Sequence, residues 1–112
     1  MFKRDWNLLF EDILESINKI GDYTKGSELE TFISNPMLID AVVRNIEIIG
    51  EASVKIPEEI KTKFSNVPWI KLKGIRNRIV HDYFGVDANI IWEIIEKDLD
   101  ELKHHVEIAL KN

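Results

Sequence analysis

The sequence predicts an all-α protein: an antiparallel up-and-down bundle of four long helices, with short helices between them. Apolar residues recur at the i, i+3, i+4, i+7 spacing of helices that bury one face. No segment alternates between apolar and polar residues as a half-buried strand does. The connections between the periodic stretches are short, as between antiparallel neighbours in a bundle. A length of 112 residues suffices for one hydrophobic core, so we expect a single domain over residues 1–112.

The first long helix is expected to end at Gly21, which is a plausible C-cap. A connection over residues 22–26 would follow. Ser27 and Glu30 have the spacing of a capping box and predict a short helix through Ile33. The buried stripe of the first helix is predicted to contain Trp6, Leu9, Phe10, Ile13, Leu14, Ile17 and Ile20.

The second long helix is predicted to begin at Asn35-Pro36, where an amide can cap the helix and a proline occupies its first turn. Asn45 interrupts its apolar stripe, and we expect it to be a hydrogen-bonded polar group at a helix contact. Gly50 lies inside this helix at a cost of about 1 kcal/mol relative to alanine. This glycine therefore predicts a close approach of another helix that a Cβ would block. The stripe is Leu38, Ala41, Val42, Asn45, Ile48, Ile49 and Ala52.

Proline residues predict the starts of two further helices. Pro57-Glu58-Glu59 opens a short helix, and Val67-Pro68-Trp69 starts the third long helix, which we expect Gly85 to end. Asp87 is expected to cap a fourth long helix that continues without a break, with Asp98 as a polar interruption. The apolar side of the third helix is predicted to be Ile70, Ile75, Ile79 and Val80. The stripe of the fourth is Ile91, Ile94, Ile95, Asp98, Leu102, Val106 and Ala109.

The net charge of −5 conceals a basic segment. Residues 61–80 contain six basic residues and no acidic one, so all twenty acidic residues lie elsewhere. A positive segment on a negative body indicates a local anion site rather than indiscriminate binding of nucleic acid, although a solvated basic face is the alternative. The candidate phosphate-binding side chains are Lys71, Lys73 and Arg78.

The absence of cysteine excludes disulfides and thiolate metal sites, which is compatible with a reducing compartment. No apolar run approaches the ~20 residues that a membrane helix needs. The N-terminal residues are amphipathic and carry acidic side chains, unlike a signal peptide. We therefore expect a cytoplasmic protein without membrane contact.

Most of the reactive side chains are concentrated between Arg76 and Tyr83, where two arginines, an amide, an imidazole, a carboxylate and a phenol lie within eight residues. At about 100° per residue, Arg76 and Tyr83 lie on nearly the same face of a helix, whereas Arg76 and His81 are about 140° apart. Arg76 and His81 could then act together only at the edges of a shared cleft, across two chains, or where the helix loosens. Asn77 and His81 are four residues apart and stack.

The residue types narrow the chemistry of this stretch. No serine or cysteine nucleophile lies near His81, no glycine-rich phosphate loop is present, and His81 with Asp82 offers too few ligands for a metal. We therefore expect no metal and no cofactor. What remains is chemistry in which the substrate brings its nucleophile, as RNA does with its 2′-OH. An imidazole can take the proton and a guanidinium can stabilise the developing charge. The alternative is a packed or capping histidine and an arginine in a surface ion pair.

The stretch resembles the RxxxxHxY motif of the HepT-like proteins, which are toxins of the HEPN superfamily. Arg76, His81 and Tyr83 match that motif, and Asn77 supplies the polar residue that often follows its arginine. Further segments are similar to the family's IGEA helix, its Pro-Trp helix start and its G-[hydrophobic]-R-N lead-in. They are Ile49-Gly50-Glu51-Ala52, Val67-Pro68-Trp69 and Gly74-Ile75-Arg76-Asn77.

The resemblance implies an HEPN-like bundle with metal-independent endoribonuclease activity. It would be the toxin of a type VII (HepT/MNT) toxin–antitoxin system, acting as a homodimer whose Arg/His motifs share a cleft. Arg76 would then stabilise the phosphorane-like charge, His81 would move protons, and Asn77 would orient His81 or the scissile phosphate. Tyr83 would be adenylylated by an MNT-type nucleotidyltransferase antitoxin, in a hetero-oligomer with the toxin. The added phosphate charge would repel RNA.

Two other interpretations stay open at the level of sequence. The same basic groove could serve a non-catalytic module that binds a nucleotide or docks a nucleotidyltransferase. Alternatively, Arg76 and His81 could serve only a dimer interface. Glu51 could pair with the basic segment and orient Arg76 under any of these interpretations.

Overall fold

The computed structural model describes residues 3–82 and 87–111, and within them the side chains of residues 5–78 and 87–111. All regular structure in these ranges is helical, which confirms the predicted all-α class. The predicted helix end at Gly85 lies outside the described residues. The helices are α1 (Lys3–Thr24), α2 (Leu29–Ile33), α3 (Pro36–Lys55), α4 (Glu58–Lys63), α5 (Trp69–Asp82), α6 (Ala88–Lys97) and α7 (Leu99–Lys111).

Helix α3 lies at the centre of the bundle, between α1 and α5, and α7 packs on the other flank of α1. Helices α3 and α5 run antiparallel, because Gly50 faces Arg76 while Ser53, nearer the end of α3, lies with Trp69 at the start of α5. The predicted stripes of the long helices supply most of the core, which also contains Val43 and Ile46 of α3 and Phe32 of α2. Its most completely buried side chains are Phe10, Ile13, Ile20, Phe32, Val42, Ile91, Leu102 and Val106.

None of the helices that the structure describes combines the length and the apolarity needed to cross a bilayer.

Helix α1 continues past Gly21 to Thr24, so the predicted end at Gly21 was wrong. Gly21 is exposed, and one glycine costs a helix only about 1 kcal/mol. The buried Thr24 instead donates its hydroxyl to the carbonyl of Ile20 at 2.7 Å. The chain then turns at Gly26, whose φ of +78° favours glycine.

Helix α2 is capped one residue later than predicted. Glu28, not Ser27, is the N-cap. The backbone N–H of Glu28 donates to the hydroxyl of Thr31 at 2.9 Å, and that hydroxyl donates to the carbonyl of Glu28 at 2.8 Å. Thr31 therefore plays the part predicted for Glu30. A capping box needs a polar side chain three residues after the N-cap, and Thr31 stands at that distance from Glu28.

The predicted start of α3 is confirmed. Asn35 accepts a hydrogen bond from the backbone N–H of Leu38 at 3.2 Å, and Pro36 occupies the first turn. Asn45 is buried, as its place in the stripe requires, and its side-chain amide donates to the carbonyl of Ala41 at 2.9 Å. That bond lies within α3 rather than between helices. The Oδ1 atom of Asn45 has no hydrogen-bond partner among the described residues.

One apolar residue of α5 was wrongly assigned to its packed side. Ile70 is 90% exposed, whereas Leu72 is buried at 6%. The two positions are about 200° apart on a helix, so both cannot face the core. The indole N–H of Trp69 decides the orientation, because it donates to the carbonyls of Lys61 and Phe64 at 3.2 and 3.0 Å and fixes the start of α5 against α4.

The predicted fourth long helix is divided at Asp98 into α6 and α7, so its expected continuity was wrong. The division is slight, since the backbone N–H of Asp98 donates to the carbonyl of Ile94 at 3.0 Å, and the backbone carbonyl of Asp98 accepts from the N–H of Leu102 at 3.1 Å. The predicted cap at Asp87 is confirmed by a 2.8 Å bond from the backbone N–H of Asn89. Hydrogen bonds from Asn89 to this carboxylate lower the pKa of Asp87.

Candidate functional site

The site begins with the close approach of α3 and α5. A Cβ placed on Gly50 would lie 2.6 Å from both Cβ and Cγ of Arg76. Real Cβ atoms do not come this close to other carbons, so only glycine fits here without a shift of the helices. The predicted role of Gly50 is therefore confirmed. The contact sets the depth at which Arg76 lies in the seam between the two helices.

The guanidinium of Arg76 is held by a carboxylate on α3. Its Nε and Nη2 atoms lie 3.2 and 3.1 Å from the same oxygen, Oε1, of Glu51. The side chains of Arg76 and Glu51 are 31% and 50% exposed, so the pair is accessible but partly packed. The predicted pairing of Glu51 with the basic segment is confirmed, and it fixes the direction of the guanidinium.

Asn77 lies beside the guanidinium. Its Oδ1 atom accepts a long hydrogen bond of 3.4 Å from Nη1 of Arg76. Arginine has five N–H donors, and the contacts described for Arg76 engage one on each nitrogen. Within the described part of the chain, donors on Nη1 and Nη2 are still available to a phosphate. The predicted action of Asn77 on His81 stays a prediction.

His81 is part of α5, but its side chain is not among those described, and Tyr83 lies outside the described residues. The roles predicted for these two residues therefore stay predictions. Among the residues that the structure does describe, no three acidic or histidine side chains gather as metal ligands would.

The three predicted phosphate-binding residues do not line one surface. Lys71 forms an ion pair with Asp98 at the junction of α6 and α7, and this carboxylate raises the pKa of Lys71. Arg78 lines the same groove as Lys71, between α5 and α6. Lys73 lines a different groove, on the side of α4. At about 100° per residue, Lys71 and Arg78 share a face while Lys73 points away from Lys71.

The groove beside Lys73 was not predicted. We call it the α4 groove; it is open to solvent, lies between α3, α4 and α5, and has a volume of about 520 Å³. No sequence pattern indicates this groove, because Ile70 has the composition of a core residue and α4 is too short to show an amphipathic face. Its lining residues are Ser53, Val54, Glu58, Lys61, Thr62, Ser65, Trp69, Ile70 and Lys73.

The fold and the arginine site place the protein in the class of HEPN-like all-α proteins. A family model described as "Ribonuclease HepT-like" matches residues 13–109. The chain belongs to the HepT-like ribonuclease family. The resemblance seen in the motif therefore extends over almost the whole sequence.

Relatives of this chain carry ribonuclease names. A protein of Methanocaldococcus jannaschii named "Putative RNase" is 44% identical over 109 residues, which cover 97% of this chain and all of that protein. One of Caldanaerobacter subterraneus subsp. tengcongensis with the same designation is 42% identical over 101 residues, 90% of each chain. A protein of Thermococcus cleftensis named "Probable ribonuclease HepT" is 37% identical, covering 90% of this chain and 92% of its own length. No solved structure matches the chain significantly.

Proposed function

We propose that this protein is a metal-independent endoribonuclease that cleaves RNA by attack of a 2′-OH on the adjacent phosphodiester. The observation that carries the proposal is the partly packed guanidinium of Arg76, which Glu51 of α3 holds in place. Arg76 lies on α5, the helix that also bears His81. The reaction needs a fixed cation together with a proton acceptor that works near neutral pH, a role for which histidine is suited. Membership of the HepT-like family and the ribonuclease names of the relatives support the same substrate class.

The reaction assigns a separate task to each side chain. His81 takes the proton of the 2′-OH, whose oxygen attacks phosphorus while the bond from phosphorus to the 5′-oxygen breaks. The protonated His81, or water, then donates a proton to the leaving 5′-oxygen, which gives a 2′,3′-cyclic phosphate and a 5′-hydroxyl. Arg76 donates to the phosphoryl oxygens as negative charge develops, and Asn77 orients the phosphate or His81. A homodimer with its two motifs in one cleft would bring Arg76 and His81 of opposite chains together despite their angular separation.

The biological setting that we propose is a HepT/MNT toxin–antitoxin system. An antitoxin of the nucleotidyltransferase type would transfer AMP to the hydroxyl of Tyr83, with release of pyrophosphate from ATP. The phosphate of the AMP group would add negative charge seven residues after Arg76 in the sequence, and this charge would repel the RNA backbone. Mass spectrometry of the Tyr83 peptide after co-expression with the cognate antitoxin should show a gain of one or more AMP units. An unmodified peptide beside an active antitoxin would contradict this part of the proposal.

The ribonuclease activity is tested by incubating the purified, unmodified protein with RNA in the presence of EDTA. We expect cleavage to continue, because no step needs a metal, and we expect products that end in 2′,3′-cyclic phosphate. RNA that stays intact while the protein binds a nucleotide or a nucleotidyltransferase would instead support a non-catalytic module.

Glu51 should act as a positioning residue for Arg76. Replacing Glu51 with alanine frees the guanidinium, and we expect kcat to fall by about 10- to 100-fold, because small misplacements of a catalytic group carry costs of this order. Glu51→Gln keeps an acceptor oxygen and should retain more activity than Glu51→Ala. Glu47→Ala is the matched control, since Glu47 lies on the same helix and pairs with Arg44 at 3.6 Å. Equal kcat values for Glu51→Ala and the wild type would remove Glu51 from the mechanism.

A further inference from the structure

The α4 groove is aligned with the arginine site. Lys73 precedes Arg76 by one turn of α5, and Val54 follows Glu51 by one turn of α3. Helices α3 and α5 are antiparallel. Moving along α5 from Lys73 to Arg76 therefore leads toward the same end of the helix pair as moving along α3 from Val54 to Glu51. The α4 groove therefore leads along the α3–α5 seam to the Arg76–Glu51 pair. A rise of about 1.5 Å per residue puts Lys73 about 4.5 Å along the axis from Arg76.

The charge of the α4 groove is opposite to that of the whole chain. Two ammonium groups, of Lys61 and Lys73, lie against one carboxylate, of Glu58, in a protein with a net charge of −5. The side chain of Glu58 is 91% exposed and only 3.7 Å from the partly packed Lys61. Such an exposed pair contributes little and is readily rearranged. The groove thus favours an anionic occupant.

The floor of the groove carries apolar groups that no described residue covers. Ile70 is 90% exposed and Val54 is 47% exposed. Trp69 beside them is fixed, because its indole N–H is bonded to backbone carbonyls and Lys61 lies 5.6 Å above its ring. Proteins that hold a single-stranded nucleic acid combine basic side chains with surfaces against which the bases rest, most often aromatic rings. Here Ile70 and Val54 offer an aliphatic surface of this kind next to Lys73.

We propose that the α4 groove binds the next nucleotide of the RNA strand, beyond the two that the scissile phosphate joins. Lys73 binds the neighbouring phosphate, and the base or ribose of that nucleotide rests on Ile70 and Val54. Thr62 and Ser65 also line the groove, where their hydroxyls can meet polar groups of the nucleotide. The hydroxyl of Thr62 already donates to the carbonyl of Glu58 at 3.0 Å, so it is left to accept. The assignment deepens the proposed ribonuclease function and rests on it. A volume of about 520 Å³ suits an occupant of this size, within the roughly 300–1,000 Å³ of ligand sites.

The first test compares a dodecamer RNA with a dinucleotide that contains only the scissile phosphate. For each variant, the ratio of kcat/KM for the dodecamer to kcat/KM for the dinucleotide is measured. We expect Ile70→Ser to lower this ratio about 5- to 10-fold, because serine removes most of the apolar area on which the base or ribose rests. Met37→Ser is the matched control, because Met37 is 83% exposed near the start of α3 and does not line the groove. Equal ratios for Ile70→Ser and Met37→Ser would overturn the proposal.

The second test measures binding alone, with a 2′-O-methyl dodecamer that cannot supply the attacking hydroxyl. In fluorescence anisotropy, Lys73→Gln should reduce the slope of log K against log salt by about 0.7, the value for one phosphate contact on a single strand. Lys97→Gln, which removes a lysine from α6 and from a different groove, should change the slope less. An unchanged slope for Lys73→Gln would also overturn the proposal.

The two tests separate failure of the groove from failure of the proposed function. If the wild type cleaves neither substrate, the ribonuclease proposal fails, while the anisotropy titration still reports on the groove. If Ile70→Ser changes only the oligomeric state in light scattering and leaves RNA binding intact, the groove is a protein interface and the RNA assignment is wrong.

Discussion

Replacing Arg76 with alanine is expected to lower kcat for RNA cleavage by roughly 10²–10³-fold, the range seen when one donor to a developing anion is removed. His81→Ala should lower it by roughly 10²–10⁴-fold, because general acid–base catalysis is lost. Arg76→Lys keeps the charge but loses the planar set of donors that reaches Glu51 and the phosphate together, so it should rescue little activity. The measurement is single-turnover cleavage of a labelled RNA, which reports the chemical step.

The control for Arg76→Ala is Arg44→Ala. Arg44 is also an arginine paired with a glutamate, but its side chain is 70% exposed and lies on α3. It should leave kcat within about twofold of the wild type, since exposed ion pairs contribute little. Circular dichroism should show that the four variants are as helical as the wild type. These variants are Arg76→Ala, Arg76→Lys, His81→Ala and Arg44→Ala. Cleavage by a folded His81→Ala protein at the wild-type rate would disprove the proposed mechanism.

Replacing Gly50 with valine is expected to destabilise the protein by about 1–3 kcal/mol, the cost of overpacking a close contact. The added Cβ would lie 2.6 Å from Cβ and Cγ of Arg76, so the two helices must separate. Valine recovers only a few tenths of a kcal/mol in helix propensity relative to glycine, which does not offset this cost. Urea denaturation should show a lower midpoint with an unchanged slope.

The same substitution should also impair catalysis beyond its effect on folding. Separation of α3 from α5 moves Arg76 away from the place that Glu51 fixes, and a shift of about 1 Å can cost about 10²-fold in rate. Gly74→Val is the matched control within α5, because a Cβ on Gly74 meets nothing within 4 Å. It should leave the unfolding free energy within about 0.5 kcal/mol of the wild type. If Gly50→Val and Gly74→Val unfold at the same urea concentration, the close approach at Gly50 has no energetic importance.

The sequence predicted the features that depend on local rules. The apolar stripes predicted the core, Asn35 predicted the start of α3, and Gly50 inside a strong helix predicted the close approach of a second helix. In each case a local feature would be unfavourable by itself: an exposed apolar face, an uncapped helix end, or a glycine inside a helix. A contact that offsets this cost can therefore be predicted. Glu51 could be linked to Arg76 for the same reason, because the two residues flank that approach on neighbouring helices.

Features that depend on tertiary context were not predictable. Ile70 has the composition of a core residue, yet the hydrogen bonds of Trp69 to α4 turn Ile70 toward solvent. The basic segment is an exception: it was expected to act as one surface, but about 100° per residue already puts Lys71 and Lys73 on opposite sides of α5. The partner of Lys71 is Asp98, 27 residues later, and no pattern within either helix indicates that pairing.

The close contact between Gly50 and Arg76 also affects which mutations can inactivate this protein. Every amino acid that a single nucleotide change can substitute for glycine has a Cβ, and each would bring that carbon against Arg76. If, as proposed, unregulated activity of this protein harms the cell that makes it, survivors of such expression should carry missense changes at codon 50 as well as at codons 76 and 81. Codon 74, also a glycine codon of a helix, should be nearly free of them.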